Sequence, residues 1–88
     1  MPYFVALFEM IDKDKDKDIL DVHIDFLNEN IKKGNIFAKG PFMDHSGGLV
    51  IYKMKTFEEA ECLAKSDPVI VNNTRKLIFK EWKTTLPE

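Results

Sequence analysis

Four segments of the chain are rich in β-branched and aromatic residues, a composition typical of β-strands. They run from Tyr3 to Ile11, from Ile36 to Phe42, from Gly48 to Met54 and from Thr74 to Lys83. In the first and third segments both alternating sets of side chains are apolar. A strand with this pattern is expected to be covered on both faces.

Between the first two strands, apolar residues recur every three or four positions, as on one face of a helix. The stripe consists of Leu20, Ile24, Leu27 and Ile31, and Gly34 follows as a helix terminator. Lysines near the end of this segment complement the helix dipole. The sequence predicts a helix with these four residues on its buried face.

The third strand is followed by a second predicted helix, which begins with the capping box Thr56-Phe57-Glu58-Glu59. The Thr56 hydroxyl is expected to accept a hydrogen bond from the amide three residues on, and Glu59 to reach back. Asp67-Pro68 should end this helix because proline disfavours helical backbone at the preceding residue. The buried stripe is predicted to comprise Phe57, Ala60, Leu63 and Ala64.

The segment from Asp12 to Asp18 alternates aspartate and lysine and has no apolar period, so we interpret it as a solvated loop. The predicted order is then βαββαβ in a single domain of residues 1–88. This order is typical of the ferredoxin-like α+β fold, a four-stranded antiparallel sheet with two helices on one face.

The apolar second face of the sheet needs a cover, because both helices lie on the other face. A second copy of the chain, packed sheet to sheet, is the simplest cover. A domain of 88 residues also gains stability from association. We therefore expect a homodimer.

Composition limits the classes of function. The formal net charge is −2 and the chain has a single arginine, which argues against a nucleic-acid partner. The apolar run from Tyr3 to Met10 is short and contains Glu9, so we predict neither a signal peptide nor a membrane span. The lone Cys62 cannot form an internal disulfide, in agreement with a cytoplasmic protein.

Five local features together resemble the YciI-like (YCII-related) proteins. They are His23 in the first helix, Gly40-Pro41, Asp44, Gly47-Gly48 and the Ser66-Asp67-Pro68 segment. The resemblance extends over nearly the whole chain in element order. It implies the dimeric α/β barrel arrangement, in which two sheets face each other, and a candidate catalytic pair, His23 and Asp67.

The chemistry of such a pair is general acid-base catalysis. A carboxylate bonded to one imidazole nitrogen fixes the tautomer, and the other nitrogen can take or give a proton. Two plainer interpretations remain open from the residues alone. His23 could be a core histidine bonded to backbone or water, and Asp67 could serve only as a turn residue before proline.

The candidate ligand-binding residues are Asp44, His45, Ser46 and Ser66. Three of them are adjacent in the hairpin connection and cannot form a catalytic triad among themselves. Their alternative interpretation is a hydrophilic loop. Asp44 is the best candidate of the three because many family members have an acidic residue after their Gly-Pro.

We predict no metal and no cofactor. Asp12, Asp14 and Asp16 have the spacing of an EF-hand start, but Lys17 and His23 occupy the positions of the required glycine and glutamate. The chain also departs from the family pattern. Many relatives have an arginine shortly before the helix histidine, whereas residues 18–22 here contain no arginine. Many relatives also have small residues directly after the Asp-Pro, whereas Val69 follows it here.

The leading hypothesis is a small-molecule enzyme with a His23/Asp67 acid-base pair, of the isomerase, lyase or dehalogenase type. One alternative is a ligand-binding or stress-associated module without chemistry, and a degenerate pocket is a further possibility. Another alternative starts from Pro2, since removal of Met1 would leave an N-terminal proline as in tautomerases, with Arg75 holding a carboxylate substrate.

Overall fold

The computed structural model describes residues 1–88. Its elements are β1 (Tyr3–Met10), α1 (Lys13–Asp18), α2 (Leu20–Lys32), β2 (Ile36–Pro41), β3 (Gly47–Lys53), α3 (Phe57–Lys65), α4 (Pro68–Val71) and β4 (Arg75–Trp82). The four predicted strands and both predicted helices are present, with ends that differ by one or two residues. The short helices α1 and α4 were not predicted.

The four strands form one antiparallel sheet in the order β2-β3-β1-β4. The central strand β1 pairs with β3 on one side and with β4 on the other, so that Ala6 lies opposite both Val50 and Phe79. Together with the helices, this sheet is the expected ferredoxin-like α+β fold.

The core lies between the sheet and the helices. Alternate residues of β1 supply its centre, and Phe4, Ala6 and Phe8 are almost fully buried. Phe79 of β4 stacks on Phe4 with ring centroids 5.8 Å apart, and Phe57 of α3 meets Phe79 edge-on at 5.3 Å. This aromatic cluster fixes α3 on the sheet.

The prediction of a solvated loop over Asp12 to Asp18 was wrong. Residues 13–18 form α1, and the Asp12 side chain caps it by accepting a hydrogen bond from the Lys15 amide at 3.1 Å. Asp16 is only 4% exposed, although its neighbours in the charged run are exposed. A carboxylate is buried in this way when charged and polar partners bind it, and β4 supplies those partners.

The buried face of α2 is also rotated from the predicted stripe. His23, Leu27 and Asn30 are buried, whereas Leu20 and Ile31 are each 40% exposed. Polar residues can occupy the buried face because they are bonded: the Asn30 side chain, for example, donates to the Phe26 carbonyl at 2.9 Å. The spacing of the apolar residues alone therefore predicted the wrong face of α2 as the buried one.

The chain after α3 does more than stop that helix. α3 ends at Lys65, and Asp67 then caps the short helix α4, which has Pro68 in its first turn. The Thr56 cap of α3 forms as predicted, with its hydroxyl accepting from the Glu59 amide at 3.1 Å. No return bond from the Glu59 side chain accompanies it.

The second face of the sheet carries no helix. Its centre contains Val5, Leu7 and Ile51, which are partly exposed, and Tyr3 lies at one end. The Tyr3 hydroxyl donates to the carbonyl of Pro87, so the C-terminal segment covers that end. No helix of the chain has the length and apolar character needed to cross a membrane.

Candidate functional site

His23 and Asp67 are hydrogen-bonded beneath α2. His23 Nδ1 lies 2.6 Å from Asp67 Oδ1, and the two residues are 4% and 0% exposed. The same Oδ1 atom accepts from the Val69 amide at 3.1 Å, which is the capping bond of α4. Two constraints thus hold the carboxylate, and the edge-on Phe8 ring, 6.3 Å from the imidazole, packs against His23.

The second imidazole nitrogen faces a guanidinium. His23 Nε2 lies 3.5 Å from Arg75 Nη1, at the limit of a hydrogen bond. Because an ionised Asp67 can only accept, the proton of a neutral imidazole resides on Nδ1. Nε2 then keeps its lone pair and is the atom that could accept a proton from a ligand.

Arg75 is held in place by Asp16. Its Nε and Nη2 atoms donate to the two carboxylate oxygens, each at 2.9 Å, in a bidentate ion pair. The Thr74 hydroxyl also donates to Asp16 at 2.8 Å. Burial by itself raises the pKa of the Asp16 carboxyl, but the Arg75 and Thr74 hydrogen bonds and the Arg75 charge outweigh it and lower the pKa.

A pocket of about 220 Å³ lies between α2, the β2–β3 hairpin and the start of β4. Its polar or charged lining residues are His23, Lys39 and Arg75. The other lining residues are glycine or apolar: Leu20, Ile24, Leu27, Gly40, Pro41, Gly48, Leu49 and Val50. Leu20 and Ile24 belong to the predicted apolar stripe of α2, and here they form a pocket wall.

Two buried polar atoms near the pair lack a hydrogen-bond partner within the protein. They are the second carboxylate oxygen of Asp67, Oδ2, and the hydroxyl of Tyr52. Burial, and secondarily the negative charge of Asp67, raises the pKa of Tyr52, so its hydroxyl stays protonated. Tyr52 is therefore a neutral group in the neighbourhood of the Asp67 charge.

Three of the four predicted ligand-binding residues lie in the exposed loop between β2 and β3. The Asp44 carboxylate accepts from the Ser46 amide at 3.0 Å, and hydrogen bonds with Ser46 lower its pKa. His45 adopts a positive φ of 63° in the same turn. None of the three lines the pocket beside His23.

Ser66 and Pro2 are also outside this pocket. The exposed Ser66 hydroxyl donates to the Leu63 carbonyl at 2.6 Å, as part of the end of α3. Pro2 precedes β1, whereas Arg75 pairs with Met10 at the other end of that strand. At about 3.3 Å per residue, the two ends are roughly 25 Å apart.

Sequence reasoning missed Asp16 and Thr74 as parts of this site, and it did not connect Arg75 with His23. Asp16 gave no signal because it is one of four alternating aspartates. Arg75 gave a weak signal, because it is the single arginine among thirteen basic residues. A guanidinium has a forked set of donors that lysine lacks, so an isolated arginine can indicate bidentate binding.

The fold and the site define a ferredoxin-like α+β protein with a buried histidine-carboxylate pair beside a small apolar pocket. The chain belongs to the YCII-related domain family, which it matches over residues 1–83. This match confirms the resemblance drawn from the sequence.

Two proteins illustrate the relationship. The uncharacterized protein YjpA of Bacillus subtilis (strain 168) is 31% identical over 61 residues, which are 69% of this chain and 72% of YjpA. The solved structure of 5-chloro-2-hydroxyhydroquinone dehydrochlorinase (TftG) from Burkholderia phenoliruptrix AC1100, in complex with 2,5-dihydroxybenzoquinone, has a TM-score of 0.77 and 18% identity. That match covers 92% of this chain and 93% of TftG.

Proposed function

We propose that this protein is a small-molecule enzyme in which His23 Nε2 acts as general acid/base and Asp67 orients the imidazole. The observation that carries the proposal is the buried 2.6 Å contact between His23 Nδ1 and Asp67 Oδ1, next to the pocket. A histidine that served only the core would not need a buried carboxylate on one nitrogen and a pocket beside its ring.

The reaction class follows from the groups at the pocket. A base at Nε2 can remove a proton, and the adjacent guanidinium can stabilise negative charge that develops on a neighbouring oxygen. Isomerisation by proton transfer, elimination and dehydrohalogenation all use these two elements. TftG, a dehydrochlorinase by its name, supports the last of the three as the first class to test.

The experiment compares the wild-type protein with His23→Gln on a panel of small carbonyl compounds, lactones and 5-chloro-2-hydroxyhydroquinone. Halide release and C–H exchange in deuterated water are followed by electrode and NMR. Turnover by the wild type should fall by roughly 10²- to 10⁴-fold in His23→Gln. His45→Gln is the matched control, since His45 is exposed in the hairpin loop.

Undiminished turnover by His23→Gln would refute the acid-base role. If His23→Gln instead loses affinity for a ligand that the wild type binds without converting, the chain is a binding module. A tautomerase dependent on Pro2 would keep its activity in His23→Gln and lose it when the N-terminal amine is blocked.

We further propose that the protein is a homodimer that packs through the face of the sheet opposite the helices. Val5, Leu7 and Ile51 give this face an apolar centre that no element of the chain covers. The variant Ile51→Lys should shift sedimentation from dimer to monomer, because a buried lysine would lack a partner. Val71→Lys is the control, as Val71 is 64% exposed on α4. A wild-type monomer at high concentration would refute the dimer.

A further inference from the structure

The donors of Arg75 are only partly used by the protein. A guanidinium has five N–H groups, and Asp16 accepts from one on Nε and one on Nη2. The remaining donors have a single weak contact, the 3.5 Å approach of Nη1 to His23 Nε2. The Arg75 side chain is only 10% exposed, and it lines the pocket. A ligand oxygen in the pocket would supply the missing acceptor.

The ion pair with Asp16 fixes the orientation of the Arg75 side chain and neutralises most of its charge. The bidentate carboxylate balances the guanidinium charge and fixes the plane of the fork. Arg75 therefore presents hydrogen-bond donors to the pocket in a fixed orientation. The ion pair by itself would favour an anion over a neutral carbonyl compound of the same shape less strongly than a free guanidinium would.

Lys39 supplies a positive charge that would favour an anion over a neutral ligand. Lys39 is exposed on β2 and lines the pocket on the side opposite α2. The pocket lining contains Lys39 and Arg75 but no aspartate or glutamate. Lys39 takes part in none of the salt bridges of the protein. A negative ligand would be attracted to the mouth of the pocket by Lys39 and oriented inside it by Arg75.

The size and walls of the pocket restrict the rest of the ligand. Ligand pockets for larger compounds span about 300 to 1,000 Å³, and this one is about 220 Å³. Aliphatic side chains form most of its walls. These dimensions fit one ring or a short chain, with the polar group at the arginine end.

We propose that the pocket binds a compact organic anion, a carboxylate, enolate or phenolate on a flat apolar body, with Arg75 and Lys39 as its oxygen-binding residues. Asp16 is a positioning residue that holds the Arg75 fork. This inference rests on the proposed function only in placing the acidic site of the ligand beside His23 Nε2. Its test is equilibrium binding, which does not depend on turnover.

The experiment uses benzoate as the probe and benzamide as its neutral counterpart, titrated into the full-length protein and followed by ¹⁵N-¹H NMR. Benzoate is expected to shift the Arg75 Nε–H signal and the amides of Gly40 and Gly48, and to bind about tenfold more tightly than benzamide. Inorganic phosphate has the charge without the apolar body and is expected to leave these signals in place.

Two variants test the residues. Lys39→Met should weaken benzoate binding about fivefold, whereas Lys76→Met, with the same change of charge on the opposite face of β4, should not affect it. Arg75→Lys retains the charge and loses the fork, and it should weaken binding about tenfold. His45→Gln, in the exposed hairpin loop outside the pocket, should bind benzoate as well as the wild type.

Absence of benzoate binding would overturn the inference, as would benzamide or phosphate binding as tightly as benzoate. Equal affinities of Lys39→Met and Lys76→Met for benzoate would also overturn it. The last comparison does not depend on Arg75 variants, whose folding could suffer from an unpaired Asp16. If His23→Gln proved fully active while benzoate bound as expected, the proposed function would fail and the anion site would stand.

Discussion

Arg75 binds Asp16 through two parallel hydrogen bonds of 2.9 Å, although 59 positions of sequence separate the two residues. The pair joins α1, which follows the first strand, to the beginning of the last strand. Its guanidinium also approaches His23 Nε2. Arg75 therefore both connects β4 to α1 and lines the pocket of the candidate site.

Replacing Asp16 by asparagine should destabilise the protein. Arg75 would be left mostly buried without its counter-charge, at a cost of about 3 kcal/mol near neutral pH. The free energy of unfolding in urea measures this loss. Asp14→Asn is the matched control, since Asp14 is exposed on the same helix, and it should change stability by less than about 0.5 kcal/mol.

The loss in Asp16→Asn should also depend on pH. The pKa of Asp16 is lower in the folded protein than the ordinary value of 3.8. Its contribution is therefore fully present above that value and disappears as pH falls through the lower, folded pKa. The difference between wild type and Asp16→Asn should be largest near neutral pH and should shrink as the pH falls below 3.8. A difference that is constant with pH would contradict the ion pair as its source.

Asp67→Asn should change the tautomer of His23. The carboxylate accepts from Nδ1–H, whereas the amide group of asparagine can donate to Nδ1 and move the proton to Nε2. The ¹⁵N shifts of the imidazole distinguish the two tautomers directly. Asp44→Asn is the control, because Asp44 lies in the hairpin loop and contacts no imidazole of α2. An unchanged His23 spectrum in Asp67→Asn would show that Asp67 does not set the tautomer.

Two tyrosine variants should have effects of opposite sign. Tyr52→Phe removes a fully buried hydroxyl that has no protein partner, and it should leave stability unchanged or raise it by about 1 kcal/mol. Tyr3→Phe removes a hydroxyl that donates to the Pro87 carbonyl and should lower stability by about 1 kcal/mol. Thermal unfolding compares them. A clear destabilisation by Tyr52→Phe would mean that its hydroxyl is bonded in solution.

Gly47→Ala should be strongly destabilising. A Cβ atom at this position would lie 1.7 Å from the Phe8 carbonyl oxygen, and the backbone has a φ of +148°. We expect a loss of more than about 3 kcal/mol, together with altered imidazole signals, because Phe8 packs against His23. Gly40→Ala is the control, since no atom lies within 4 Å of its added Cβ. Equal stability of the two variants would contradict this account.

The fold could be predicted because its signals are periodic. Segments rich in β-branched and aromatic residues marked the four strands, and the two apolar sets of β1 and β3 predicted that both faces of these strands are covered. The rotation of α2 could not be predicted in the same way. His23 and Asn30 belong to the buried face through hydrogen bonds to Asp67 and Phe26, and bonds between distant residues leave no period in the sequence.

The site could be predicted only in part. His23 and Asp67 were singled out through a family resemblance and indeed lie in contact. Asp16 was hidden in a charged run whose composition is typical of a solvated segment. Its burial depends on Arg75 and Thr74, which reach it only after β4 has joined the sheet. Local propensity carries no information about such a partner.

The four side chains that define the site, Asp16, His23, Asp67 and Arg75, come from α1, α2, the cap of α4 and the first residue of β4. The shortest continuous piece that contains all four runs from residue 16 to residue 75. A chain leaving the ribosome can therefore assemble its pocket only once β4 has been released. Until then His23 lacks Arg75 beside its Nε2 atom, so chains that end before β4 should be inert toward a ligand of the finished pocket.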